Sequence, residues 1–125
     1  MAASGEIPQA WVDKVKELLG GEIFTKEQPG KWEGKAGGHV PVVSKNDDGT
    51  VTVKVPHVMK KGEKDEDDHW IEYVFVQDAE GNIVAMNKFT PTDAAAAISF
   101  QPEAGKTLTP FGYCNLHGMW KGEQF

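Results

Sequence analysis

The sequence predicts an all-β fold, an immunoglobulin-like antiparallel β-sandwich with one N-terminal amphipathic helix. Three observations carry that expectation. Six short segments, 39–44, 50–56, 69–77, 82–88, 95–101 and 107–113, read as strands, several of them alternating β-branched or aromatic residues with polar ones. Turn residues separate them: Asp47-Asp48-Gly49, Ala79-Glu80-Gly81-Asn82 and Pro102-Glu103-Ala104-Gly105 supply the glycine, proline or side-chain acceptor that a chain reversal needs. No helical pattern falls between the strands, which argues against a parallel sheet and for a sandwich of short antiparallel strands.

Ahead of the strands, Trp11, Val12, Val15, Leu18 and Leu19 recur at helical spacing over 7–19, with Pro8 near the first turn and Gly20-Gly21 beyond the end. The apolar stripe of this helix is expected to pack on its own chain or on a neighbouring subunit. Residues 30–38 mix glycines and lysines with Trp32 and Glu33 and read as a mobile loop. The run Lys60-Lys61-Gly62-Glu63-Lys64-Asp65-Glu66-Asp67-Asp68 reads as a solvated loop. It lacks the acceptor spacing and closing glutamate of an EF-hand. Trp70, Tyr73, Phe75, Phe100, Phe111 and Tyr113 fall within strand patterns and read as packing. The expected organisation is one structural domain, with 1–29 as a helical extension and 30–125 as the sandwich.

Composition narrows the function. A chain of 125 residues suits a single core. The formal charge is −6, and all 13 basic residues are lysine, so the guanidinium fork that grips phosphates and guanine edges is missing. Nucleic acid is therefore not an expected partner. No apolar run approaches the roughly 20 residues that cross a bilayer, so no membrane partner is expected either. Met1-Ala2-Ala3-Ser4-Gly5-Glu6 has neither the basic patch nor the apolar stretch of an export signal. The single cysteine, Cys114, cannot close an internal disulfide, which fits a reducing, cytoplasmic compartment.

That thiol and the four histidines, His39, His57, His69 and His117, are the candidate chemistry; each histidine stands at a predicted strand end or loop edge. In Cys114-Asn115-Leu116-His117 a tight turn can aim thiolate and imidazole at one ion. Singly these are weak signals, since a histidine at a strand end is usually a surface residue and a lone buried cysteine an inert hydrophobe. Together, at strand ends that a sandwich can gather, they make one shared metal the economical reading. Structural zinc wants four ligands and usually several thiolates, which leaves one donor over. A blue-copper electron carrier would use Cys114, His117 and Met119, but one residue between His117 and Met119 is poor spacing for an axial ligand, and two histidines stand idle. A metal-stapled binding module without turnover is a third reading. Four imidazoles around an equator with an axial thiolate describe a five-coordinate iron with a vacant sixth position. An axial thiolate pushes electron density toward a ligand opposite, which favours reduction of a small oxygen species. No histidine is then free for a serine hydrolase triad.

Three segments bear a family likeness: His39-Val40-Pro41-Val42-Val43; Pro56-His57-Val58-Met59 with Asp68-His69-Trp70-Ile71-Glu72-Tyr73; and Tyr113-Cys114-Asn115-Leu116-His117-Gly118-Met119-Trp120. Together they resemble the superoxide reductases, the neelaredoxin and desulfoferrodoxin family, from about residue 30 to the C-terminus. The resemblance implies an immunoglobulin-like sandwich holding one iron per chain, with His39, His57, His69 and His117 in the plane and Cys114 along the axis. It implies reduction of superoxide to hydrogen peroxide without dismutation. With no four-cysteine iron domain ahead of it in this sequence, the chain resembles the one-iron class, commonly homotetrameric and re-reduced by rubredoxin or a similar donor.

Two features depart from the family pattern. Many members carry glutamate and lysine directly before the first histidine, where this chain has Gly37 and Gly38. Glu33 and Lys35 lie just upstream on the same glycine-rich loop, so Lys35 is expected to approach the open position and Glu33 to cap it. The competing expectation leaves both solvated and draws the positive field from Lys60, Lys61 and Lys64, or from iron and backbone amides. Some local positive charge is needed, because superoxide is an anion, the chain is acidic, and screening acts over about 8 Å at physiological salt. The second departure is the stretch 58–68, longer than the family usually has, expected to bulge near the metal. Backbone amides of Leu116 or His117 are expected to tune the Cys114 sulfur, and water to provide protons.

Overall fold

The computed structural model describes residues 6–125, so the export reading of the N-terminus lies, for its first five residues, outside the described residues. Pro8 starts the first helix, α1 (Gln9–Leu19), and Gly20 follows its end. Eight strands follow: β1 (Ile23–Phe24), β2 (Val42–Lys45), β3 (Val51–Val55), β4 (Ile71–Asp78), β5 (Ile83–Lys88), β6 (Ala96–Phe100), β7 (Leu108–Cys114) and β8 (Gly118–Lys121). A four-residue helical turn, α2 (Ala36–His39), and two 3₁₀ turns, Gly30–Trp32 and Asp65–Asp67, lie in the connections.

The strands form two sheets, ordered β1-β8-β7-β4-β5 and β2-β3-β6. Every ladder is antiparallel except β1 with β8, which run parallel through Ile23 opposite Met119 and Phe24 opposite Trp120. The predicted sandwich thus has one parallel pair at its edge. Neither β1 nor β8 was expected: two residues cannot show a period, and β8 begins at the glycine of a turn.

Both faces of β4 are covered, which explains the unbroken apolar run Tyr73-Val74-Phe75-Val76 at its centre. Val74 and Val76 face the sandwich interior with Val51, Val53, Val55, Ile98 and Phe100. Tyr73 and Phe75 face the opposite way, where Phe111, Met86 and Met119 meet Val15, Trp11 and Leu18 of α1. Phe75 and Phe111 stack at 4.9 Å with 5° between their planes. The amphipathic helix therefore packs on its own chain, and burial of each large apolar side chain contributes about 1.5–3 kcal/mol.

Between β4 and β7 the register slips near the site: Ile71 pairs Cys114, yet Tyr73 pairs Tyr113, leaving Glu72 as an extra residue. This bulge turns Ile71 and Cys114 toward the sandwich interior while Tyr73 and Tyr113 face the helix.

Three local expectations need correction. The strand foreseen at 39–44 starts only at Val42, and His39 instead ends α2, because Pro41 forces Val40 into extended backbone (φ −75°, ψ 125°). The glycine-rich segment 30–38 contains a 3₁₀ turn and most of α2. The 58–68 excursion is not merely a solvated loop: Lys60 and His69 exchange backbone hydrogen bonds at 2.9 and 2.8 Å. Within it Asp68 is buried and accepts from the Gly62 amide at 2.9 Å and from Lys61 Nζ at 3.0 Å.

Candidate metal centre

One end of the sandwich gathers all five sequence-derived donors. His39 ends α2, His57 lies two residues beyond β3, His69 two residues before β4, Cys114 closes β7 and His117 sits in the β7–β8 turn. Gly118, at φ 82°, ends that turn, and a Cβ there would meet the Phe24 ring at 3.0 Å. One potential ligand atom from each of the five residues lies within 4.8 Å of all the others.

The imidazoles form a closed ring. Centroid distances are 4.6 Å from His39 to His57, 4.4 Å from His57 to His69, 4.9 Å from His69 to His117 and 4.9 Å from His117 back to His39. Cys114 Sγ lies 3.7 Å from His117 Nδ1, and His69 Nε2 lies 3.2 Å from that same nitrogen. His39 Nδ1 donates to the Lys35 carbonyl at 2.8 Å, and His57 Nδ1 donates to the Val58 carbonyl. Those bonds leave Nε2 of both rings free, and His39 Nε2 is buried without any partner. Leaving such an atom unpaired costs about 1–3 kcal/mol. A cation among the five donors removes that cost, so the residues fit a metal.

Burial sets the protonation. It is the main cause that lowers His39 to about 4, opposed by the Lys35 carbonyl and reinforced by His57, His117 and His69. His69 is likewise lowered to about 4, first by burial and then by His57, His117, Lys35 and Lys60. His117 is pushed down by burial, Lys35 and His57. These three rings are thus held neutral, the form that ligates. Burial raises the Cys114 thiol, while backbone hydrogen bonds from Leu116 and His117 favour its thiolate.

Lys35 is exposed; its carbonyl orients His39 and its charge reaches His69 and His117. Glu33 is exposed and makes no hydrogen bond or ion pair with the donors among the described residues. Of the other lysines considered, Lys61 is tied to Asp65 and Asp68 at 2.9 and 3.0 Å and Lys64 faces Glu66 at 4.0 Å, whereas Lys60 acts on His69. Met119 is fully buried among the helix-side residues, on the sheet face opposite Cys114. The axial methionine of the blue-copper alternative is therefore not formed.

Sequence reasoning missed two tryptophans. Trp32 presents an edge-on contact to His117 at 4.7 Å between ring centroids. Trp120, quoted only as part of a motif, stacks on His39 at 5.3 Å and donates its indole N–H to the His117 carbonyl at 3.0 Å. Their aromatic character was visible; their proximity depends on the Gly30–Trp32 3₁₀ turn, on α2 and on β8, which were not.

A β-sandwich with a ring of four imidazoles beside a buried thiol at one end defines a protein with a mononuclear His/Cys metal site. The family model for desulfoferrodoxin matches residues 30–123, and the chain belongs to that family. It is 37% identical over 105 residues to the desulfoferrodoxin of Nitratidesulfovibrio vulgaris, covering 82% of this chain and 75% of that protein. Superoxide reductase from Treponema pallidum matches in structure with a TM-score of 0.55 at 28% identity, over 75% of this chain and 73% of that one. The superoxide reductase (neelaredoxin) from Ignicoccus hospitalis shares the fold, with a TM-score of 0.61 at 24% identity over 88% and 94% of the two chains.

Proposed function

We propose that the chain is a superoxide reductase of the one-iron class, in which His39, His57, His69, His117 and Cys114 would hold the iron. It is an oxidoreductase acting on superoxide: the substrate takes one electron and two protons, hydrogen peroxide leaves, and no oxygen forms. The observation that carries this reading is the closed imidazole ring with one thiol beside it, five donors within 4.8 Å.

Iron held by these residues would supply the electron and a Lewis-acidic centre that attracts a small anion. The chain's residues prepare both. Burial keeps His39, His69 and His117 neutral, and the Leu116 and His117 amides steady the Cys114 thiolate. Lys35 and Lys60 offer the local positive field that an anionic substrate needs on a chain of net charge −6. Their influence on the site imidazoles supports this role. Glu33, on the segment that carries Lys35, is the candidate cap. Water delivers the protons, because all four histidines are occupied as ligands.

The same reading makes 1–29 an extension and 30–125 the iron-binding body, gives the chain a homotetrameric state, rubredoxin or a similar donor as reductant, and a cytoplasmic location. No helix among the described residues is long and apolar enough to cross a membrane. The test is anaerobic mixing of reduced, iron-loaded protein with superoxide. One peroxide per superoxide consumed, without oxygen, supports reduction; oxygen release with half that peroxide yield overturns it.

A further inference from the structure

The β4–β7 ladder ends at the pair Ile71 and Cys114, one residue before the turn that carries His117. Beyond it a side chain continues the pairing. Asn115 Oδ1 accepts the Trp70 amide at 3.0 Å, and Asn115 Nδ2 donates to the Asp68 carbonyl at 2.7 Å. The Asn115 amide donates to the Trp70 carbonyl at 3.2 Å. The orientation of the carboxamide is unambiguous, since a backbone N–H can only donate and a carbonyl can only accept. Asn115 therefore grips the residues on either side of His69.

From the other side His69 is fixed by the two backbone bonds it exchanges with Lys60. Asp68 is anchored in turn by Gly62 and Lys61. The 58–68 excursion thus ends in a clamp on His69, and the clamp is joined to the Cys114–His117 turn through one side chain.

We infer that Asn115 is a positioning residue that sets the His69 ring relative to the Cys114 sulfur by serving as an extra rung of the β4–β7 ladder. It touches neither substrate nor metal. The inference rests on the metal reading of the five donors, and the chemistry is specific. Two backbone groups of opposite polarity need an acceptor and a donor from one short side chain. Aspartate keeps the acceptor but sets an oxygen against the Asp68 carbonyl; alanine offers neither.

The test uses cobalt(II) titration of the parent, Asn115→Asp and Asn115→Ala, reading affinity and the thiolate-to-cobalt absorption band. Affinity roughly 10–100-fold weaker in both variants, the usual effect of removing a group that orients ligands, with a displaced band, supports positioning. Unchanged affinity, or weakened affinity with an unchanged band, overturns it. A parent that binds no cobalt, or binds it without a thiolate band, overturns the metal reading instead. If the variants fail to fold, hydrogen exchange of the metal-loaded parent decides. A Trp70 amide protected like those inside β4 supports the rung, and a freely exchanging one removes it.

Discussion

Trp120 and His39 lie face to face, their ring centroids 5.3 Å apart and their planes 29° from parallel, and the same indole donates to the His117 carbonyl. One fully buried side chain thus fixes two members of the imidazole ring from behind. Trp120→Phe keeps a stacking surface but leaves the His117 carbonyl without its donor. Metal affinity is expected to fall roughly 10-fold, the low end for loss of an orienting group, as read by competition with a chelator.

Proton release on metal binding tests the thiol. At pH 8 ordinary imidazoles are already neutral, and burial makes His39, His69 and His117 more so. The buried Cys114 thiol, raised above its usual range, remains protonated until a metal displaces the proton. Calorimetry in buffers of different ionisation heat is expected to show about one proton released per ion. Cys114→Ser is expected to lose the thiolate charge-transfer colour of the oxidised iron protein; colour that persists contradicts the axial assignment.

The donor set was legible because histidine and cysteine are few in this chain and each stands beside a segment with a clear strand period. The same periodicity located the cores of β3 through β7. What surrounds the donors was less legible. The turn that presents His39 is built from Ala36, Gly37 and Gly38, residues with no helical pattern, and it stops where Pro41 forces extended backbone. Asn115 gives no signal of its own, since its value arises only once Trp70 and Asp68 lie opposite it beyond the Glu72 bulge. Trp32 meets His117 only because a 3₁₀ turn folds the glycine-rich segment back over the site.

Lys35 should govern encounter rather than metal retention. Its charge reaches His69 and His117 while its side chain stays exposed. Lys35→Ala is expected to slow the second-order reaction with superoxide roughly 10-fold at low salt and to flatten its ionic-strength dependence. Iron content should be unchanged, because the bond from His39 uses the Lys35 backbone carbonyl. A rate and salt dependence equal to the parent's would remove Lys35 from the mechanism. The same measurement on Glu33→Ala tests the cap.

Away from the site, Asp78 ties the β4–β5 turn together. Its carboxylate accepts from the Asn82 and Glu80 amides at 2.9 and 3.0 Å and faces Lys106 at 3.8 Å. Those bonds, the Asn82 amide foremost, hold its carboxyl below the ordinary carboxylate range. The unfolded chain therefore binds the proton at higher pH than the folded one, so this contribution is complete above the ordinary value and is lost as pH falls through the folded one. Asp78→Asn is expected to lower Tm by a few degrees at pH 7, with the gap to the parent narrowing toward pH 3 in thermal melts.

X-ray absorption at the iron edge of the loaded protein, joined to metal analysis, measures the convergence of the five side chains most directly. One iron per chain with one sulfur and four nitrogen neighbours, the sulfur vanishing in Cys114→Ser, is the predicted result. An iron with no sulfur neighbour in the parent, or a coordination shell untouched by replacing any one of the four histidines, would contradict it.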